Sequence, residues 1–331
     1  MPAERFLITG ALGCIGAWTV KALVEAGLPV AVFDLSDDPY RLRLLMAPDQ
    51  LARVQFLQGD VTDLGSVRPA LSASRATHVI HLAGLQVPFC RANPSLGASV
   101  NVVGTINVLE AVRQSGGQVR GLAYASSVAA LGPDEYYPHK PVPDEAPQRP
   151  DTLYGVYKQA NEHTARVYWQ DWGVGSLGLR PYTVYGVGRD QGLTSDLTKA
   201  ILAAAAGRPY HVNFGGPVAL QYAEDTARLF IACARAEYQG AAACNLRNDV
   251  VEVGEFIAML ARVAPGAHIT YQADRRLPFP ADLDDAGIRS ILRGILGELP
   301  HTPLEAAIRQ TYARFRALLE AGQVDLAQLQ G

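Results

Sequence analysis

The segment Thr9-Gly10-Ala11-Leu12-Gly13-Cys14-Ile15-Gly16 constrains the fold more than any other part of the chain. It follows an apolar run, Arg5–Thr9, that reads as a strand. After it, Ile15, Trp18, Thr19, Ala22, Leu23 and Ala26 share one helical face, with Gly27 as a stop signal. Glycines at these spacings allow a tight turn, a close approach of backbone to a pyrophosphate and close packing of the helix on its strand. The free N–H groups and partial positive charge of the helix start favour an anion there. Further strand-length runs at Val30–Asp34, Val54–Leu57, Val79–Ala83, Gly121–Ser126 and Ser176–Arg180 alternate with helical stretches, among them Asn101–Arg113 and Asp151–Trp172. This alternation predicts an α/β chain with a Rossmann, doubly wound parallel sheet over residues 1–180. Residues 181–331, richer in loops, predict a smaller C-terminal α/β substrate lobe, and a return of the part near 221–236 to the first domain is left open. Thr302-Pro303-Leu304-Glu305 reads as a capping box that opens a terminal helix.

Asp34 ends the second predicted strand, 18 residues after Gly16. A carboxylate there accepts from the adenosine ribose hydroxyls and repels a 2′-phosphate. Asp37 and Asp38 add to that field with no adjacent Arg to offset it, so the expected cofactor is NAD rather than NADP. Asp60 follows the third strand, either to meet the adenine amino group or to cap its own loop. Tyr154 and Lys158 stand one helical turn apart on a shared face. Bringing a phenol from a pKa of about 10 to about 7 requires roughly 4 kcal/mol of preference for the phenolate. A neighbouring ammonium and a positive nicotinamide ring, shielded from water, supply that preference.

Composition excludes several alternatives. A net charge of −3 provides no basic excess to hold a nucleic-acid backbone or an anionic membrane surface. Cys14, Cys90, Cys233 and Cys244 show no CxxC spacing and the histidines are scattered, so no metal site is expected and the thiols suit a reducing, cytoplasmic setting. The N-terminal residues lack a signal-peptide layout. The longest uncharged run, Ala92–Leu109, is interrupted by Pro94 and several polar residues and is not expected to span a bilayer.

The glycine turn, His81-Leu82-Ala83-Gly84, Asn101–Ala111, Ser126-Ser127, Tyr154–Lys158 and Leu179–Gly186 occur in the order found in extended short-chain dehydrogenases/reductases. The chain resembles their NAD-dependent epimerase/dehydratase branch, to which UDP-galactose 4-epimerase belongs. The resemblance implies that Tyr154 transfers the proton, Lys158 lowers its pKa and holds the nicotinamide ribose, and Ser127 hydrogen-bonds the reacting oxygen. Asn101 takes the place of a supporting Asn, with helix packing as the other reading. Gly10, Gly13, Cys14, Ile15, Gly16, Asp34, Asp60 and Val61 would meet the adenosine and pyrophosphate. Leu82, Ala83, Gly84, Pro181 and Val184 would line the nicotinamide half. A homodimer through the Asn101 and Tyr154 helices is also implied.

Departures from the family pattern narrow the reaction. Val128 and Ala129 stand where dehydratases carry an Asp-Glu pair. Val218 replaces the diphosphate-binding Arg of sugar-nucleotide epimerases, although Asp225 of that segment is kept, and Arg275 and Arg276 only approximate the second arginine. The expected function is therefore NAD-dependent oxidoreduction at a secondary alcohol or ketone of a small sugar, sugar acid or related compound. Gln86, Thr183 and Arg189 are the candidate substrate contacts, with Gln86 and Arg189 on mobile loops; for Arg189 a surface-loop role is equally open. A UDP-sugar 4-epimerase and a non-catalytic NAD-binding regulator are the alternatives.

Overall fold

The computed structural model describes residues 3–330. Met1 and Pro2, from which the reading of the N-terminus begins, lie outside the described residues. Among the described residues, twelve strands occur in three sheets. β1 (Phe6–Thr9), β2 (Val30–Asp34), β3 (Gln55–Gln58), β4 (His78–His81), β5 (Gly121–Ala125) and β6 (Ser176–Arg180) fall within two residues of the runs read from the sequence. They form one parallel sheet in the order β10-β6-β5-β4-β1-β2-β3, in which β10 is Ala241–Asn245. Strand order reverses between β1 and β4, which opens a crevice at their C-terminal ends. The continuous apolar runs follow from helices covering both faces: every residue of β1, β4 and β6 is buried.

β7 (Thr183–Tyr185), β9 (Pro217–Tyr222) and β11 (Asp249–Glu252) make a second sheet, while β8 (Tyr210–Val212) pairs with β12 (Ile269–Tyr271). The helix Ala223–Arg235 leaves β9 and packs on β4, β5 and the first helix, Cys14–Glu25.

Two local expectations are corrected. Thr302 does not cap the terminal helix Leu304–Glu320. Its N–H and Oγ1 donate to the Asp225 carboxylate at 2.6 and 3.0 Å, and Glu305 pairs with Arg262 and Arg309. A buried carboxylate from another helix outcompetes the local cap. The uncharged run also behaves differently, because Pro94 begins a helix instead of breaking one. Pro94–Gln114 is long and apolar enough, at a mean hydropathy of 1.3, to cross a bilayer, but half of its apolar window is buried inside the protein. It contains a π-helical turn at Ser99–Val103, where Asn101 points fully into the interior.

Candidate active site

The glycine turn brings its backbone against the end of β4. Gly10 has φ +66°, and a Cβ there would stand 2.5 Å from the Ala83 backbone, so only glycine lets the two strand ends meet at the crevice. Thr9 and His81 hold this junction side by side, with Thr9 Oγ1 and His81 Nδ1 2.6 Å apart and His81 Nε2 3.0 Å from Thr105 Oγ1. Burial drives the His81 pKa down to about 3, so this imidazole is neutral and structural. The crevice continues as a cleft of about 870 Å³, within the range of small-molecule sites. Gly13, Cys14, Ile15 and Gly16 line one end with Asp34, Asp60 and Val61; Leu82, Ala83, Gly84, Pro181 and Val184 line the other. Burial pushes the Cys14 thiol up to about 12, which makes it unreactive.

Asp34 Oδ2 accepts from Leu12 N at 3.0 Å, tying this cleft-lining carboxylate to the glycine turn. Asp60 Oδ1 accepts from Thr62 N at 2.8 Å, so it caps its loop while lining the cleft. The expectation that no Arg offsets the acids is corrected at Asp38, which pairs with Arg43 at 2.8 Å. That pair is exposed and weak, and Asp34 retains the argument against a 2′-phosphate.

Ser127, Tyr154 and Lys158 come together in the middle of the cleft. Thr152 caps the helix Leu153–Trp172 through Gly155 N, which sets Tyr154 and Lys158 in its first turns. The Ser127 hydroxyl shares the cleft with the Tyr154 phenol and accepts from Ala129 N at 3.2 Å. Ser126 instead turns to Glu162, which forms a two-bond ion pair with Arg180 at 2.7 and 2.9 Å. Lys158 Nζ donates to Ala125 O at 2.7 Å and stands 5.5 Å from the centre of the Tyr154 ring. Burial pulls the Lys158 pKa down to about 8.

The phenol itself departs from expectation. Burial raises the Tyr154 pKa, and the Ser127 hydroxyl and Arg189 charge only partly oppose this. With its pKa raised by burial, the tyrosine is a neutral acid at pH 7 without bound NAD. Asn101 donates through Nδ2 to Leu85 O and Gly97 O at 3.1 and 3.0 Å, but its buried Oδ1 has no partner. This oxygen and Lys158 Nζ both border Gly84, 2.8 and 3.4 Å from where a Cβ would lie. Asn101 thus packs its helix and also presents an acceptor beside Lys158.

The segment 186–192 is tied to the glycine turn and the first helix. Arg41 donates to Leu12 O at 2.9 Å and Gly188 O at 3.1 Å and pairs with Asp190 at 2.7 Å; Trp18 Nε1 donates to Val187 O at 2.9 Å. Arg41 was not singled out from the sequence, and Trp18 was read only as part of a helical face, since contacts spanning more than a hundred residues leave no local pattern. Gln86 and Arg189 line the cleft. Thr183 does not: it is fully buried in β7, where alternation directs it away from the face bearing Tyr182 and Val184. Val218 is fully buried in β9, and Arg275 and Arg276 lie outside the cleft.

The sequence model of the NAD dependent epimerase/dehydratase family matches residues 6–251. An uncharacterised 37.6 kDa protein of Escherichia coli O111:H- is 33% identical over 207 residues, covering 60% of this chain and 60% of that protein. The mitochondrial L-threonine 3-dehydrogenase of Sus scrofa is 28% identical over 278 residues, 82% of this chain and 71% of that one. Among solved structures, the UDP-glucose 4-epimerase of Thermus thermophilus in complex with NAD superposes with a TM-score of 0.77 at 27% identity, covering 95% of this chain and 99% of the other.

Proposed function

Because the chain belongs to the NAD-dependent epimerase/dehydratase family, we propose that its cleft carries out NAD-dependent oxidoreduction at a secondary alcohol or ketone of a small hydroxylated substrate. The convergence of Ser127, Tyr154 and Lys158 below the strand-order reversal carries this reading. It also disfavours a non-catalytic NAD-binding regulator, which has no use for that trio. Bound NAD supplies the hydride acceptor and, when oxidised, a positive ring.

The chain's own residues handle binding, orientation and the proton. Ser127 orients the substrate oxygen, Tyr154 takes or gives the proton at that oxygen, and Lys158 holds the nicotinamide ribose. Burial favours the neutral phenol, so ionisation of Tyr154 depends on positive charge arriving with the cofactor. Asp34 favours NAD: its repulsion of a 2′-phosphate, about 1–2 kcal/mol, makes NAD bind about 5- to 30-fold tighter than NADP. Calorimetric titration of both cofactors checks this, and equal affinity would remove Asp34 from the role.

Replacement of the diphosphate-binding arginine by buried Val218 supports a substrate smaller than a nucleotide sugar. The protein is expected not to bind UDP or UDP-sugars with micromolar affinity in calorimetry. Micromolar binding would instead favour the second reading, a UDP-sugar 4-epimerase, the activity named for the Thermus relative.

We further read residues 1–180, with the helix Ala223–Arg235 and β10, as the NAD-binding part, and the rest of 181–331 as the substrate lobe. Leu96, Val103 and Val156 are exposed on two adjoining helices, a surface suited to a second copy in a homodimer. Net charge and thiol content suit a cytoplasmic enzyme of small molecules, without a nucleic-acid or membrane partner.

A further inference from the structure

The cleft that holds Tyr154 also carries the guanidinium of Arg189. Arg189 Nη2 donates to Thr194 Oγ1 at 3.2 Å, while its buried Nε has no hydrogen-bond partner and no ion pair to Arg189 occurs among the described residues. The neighbouring carboxylate, Asp190, is taken by Arg41. Gln86 faces the same place, and its Oε1 is also buried without a donor. Gly192, at φ +95°, lets the two converge: a Cβ there would stand 1.7 Å from Gln86 Oε1 and 3.2 Å from Arg189 Nη2.

A buried, unpaired cationic donor and a buried, unpaired acceptor are both costly unless a ligand satisfies them. The arrangement is rigid as well, because Arg41 and Trp18 anchor the loop to the glycine turn and first helix. A charge held this way is preorganised, so a ligand need not order it on binding.

We propose that the substrate bears a carboxylate received by Arg189 beside the Ser127–Tyr154 centre, and a hydroxyl or ammonium donor received by Gln86 Oε1. The substrate class is thus a short hydroxy acid, either a sugar acid or a β-hydroxy amino acid. This assignment rests on the oxidoreductase reading for the position of the reacting oxygen. Gln86, Ser127, Tyr154 and Arg189 all line the same cleft, open to one small molecule.

The test uses the full-length protein saturated with NAD and short hydroxy acids, each beside a neutral partner. D-gluconate with D-glucitol and L-threonine with L-threonine amide separate the sugar-acid and amino-acid sources. Calorimetry measures binding, and NADH release measures turnover. The carboxylate member of at least one pair binds and its neutral partner binds more weakly. R189M weakens the carboxylate about 10- to 100-fold, the size expected for loss of a charged hydrogen bond, with unchanged NAD affinity. Binding of no carboxylate, equal binding within every pair, or a preference that survives R189M overturns the assignment. Turnover lost in Y154F yet indifferent to carboxylate and to R189M overturns only the carboxylate site and leaves the oxidoreductase reading intact. Carboxylate binding governed by Arg189 with no turnover in any pair does the reverse.

Discussion

Tyr154→Phe is expected to lower kcat by about 10²- to 10⁴-fold, the contribution of a positioned acid or base, while NAD affinity stays near wild type. The substitution removes one oxygen and leaves a ring that fills the same space, so loss of turnover reports proton handling rather than collapse of the cleft. Burial raises the phenol pKa in the structure, and Lys158, itself pulled down to about 8, is hydrogen-bonded to Ala125. Alcohol oxidation uses the deprotonated phenol as base, so its kcat/KM should rise with pH from neutrality. Ketone reduction uses the protonated phenol beside the uncharged ring of reduced NAD, so it should stay level over that range and fall only at higher pH. Steady-state rates across pH, for wild type and Y154F, check both statements. Near-normal turnover in Y154F would remove Tyr154 from its role.

Glu162→Ala is expected to destabilise the protein by about 3–5 kcal/mol, the cost of leaving one member of a buried ion pair uncompensated. Arg180 and Glu162 are only 4% and 7% exposed, and without the carboxylate Arg180 keeps Asp144 O at 2.9 Å and Asn245 Oδ1 at 3.1 Å. Those neutral acceptors do not offset its charge, and the nearby Asp144 carboxylate, pushed up to about 6 by burial, opposes it only in part. The loss reaches the active site too, because Ser126 hydrogen-bonds Glu162 next to Ser127. Urea unfolding measures the cost. E162Q, which keeps hydrogen-bonding capacity but not charge, should fall between wild type and E162A. A shift below about 1 kcal/mol in E162A, the level of an exposed pair, would show that the buried pair is not the anchor described.

The sequence revealed those features that depend on short-range pattern. Strand-length apolar runs mark β1 to β6 because a sheet covered on both faces needs uninterrupted hydrophobic strands. The glycine turn is readable because the close approach of Gly10 to Ala83 permits no other residue. Tyr154 and Lys158 are readable because one helical turn places them on one face. β10, Ala-Ala-Ala-Cys-Asn, has no β-branched or aromatic residue, and only its place beside β6 makes it a strand. The Arg41–Asp190 pair joins residues 149 positions apart, and the face of β7 on which Thr183 lies depends on its pairing with β9. The sign of the Tyr154 shift escaped as well, since the burial that raises it belongs to the folded interior.

The most direct test of the central claim follows one carbon-bound hydrogen. Secondary alcohols of the sugar and sugar-acid type, deuterated at the reacting carbon, are incubated with the NAD-saturated protein. The account predicts that at least one delivers its deuterium to reduced NAD, or retains it in a product of inverted configuration, and that Y154F suppresses either outcome. Bound NAD with no deuterium transfer and no inversion from any such alcohol would contradict it.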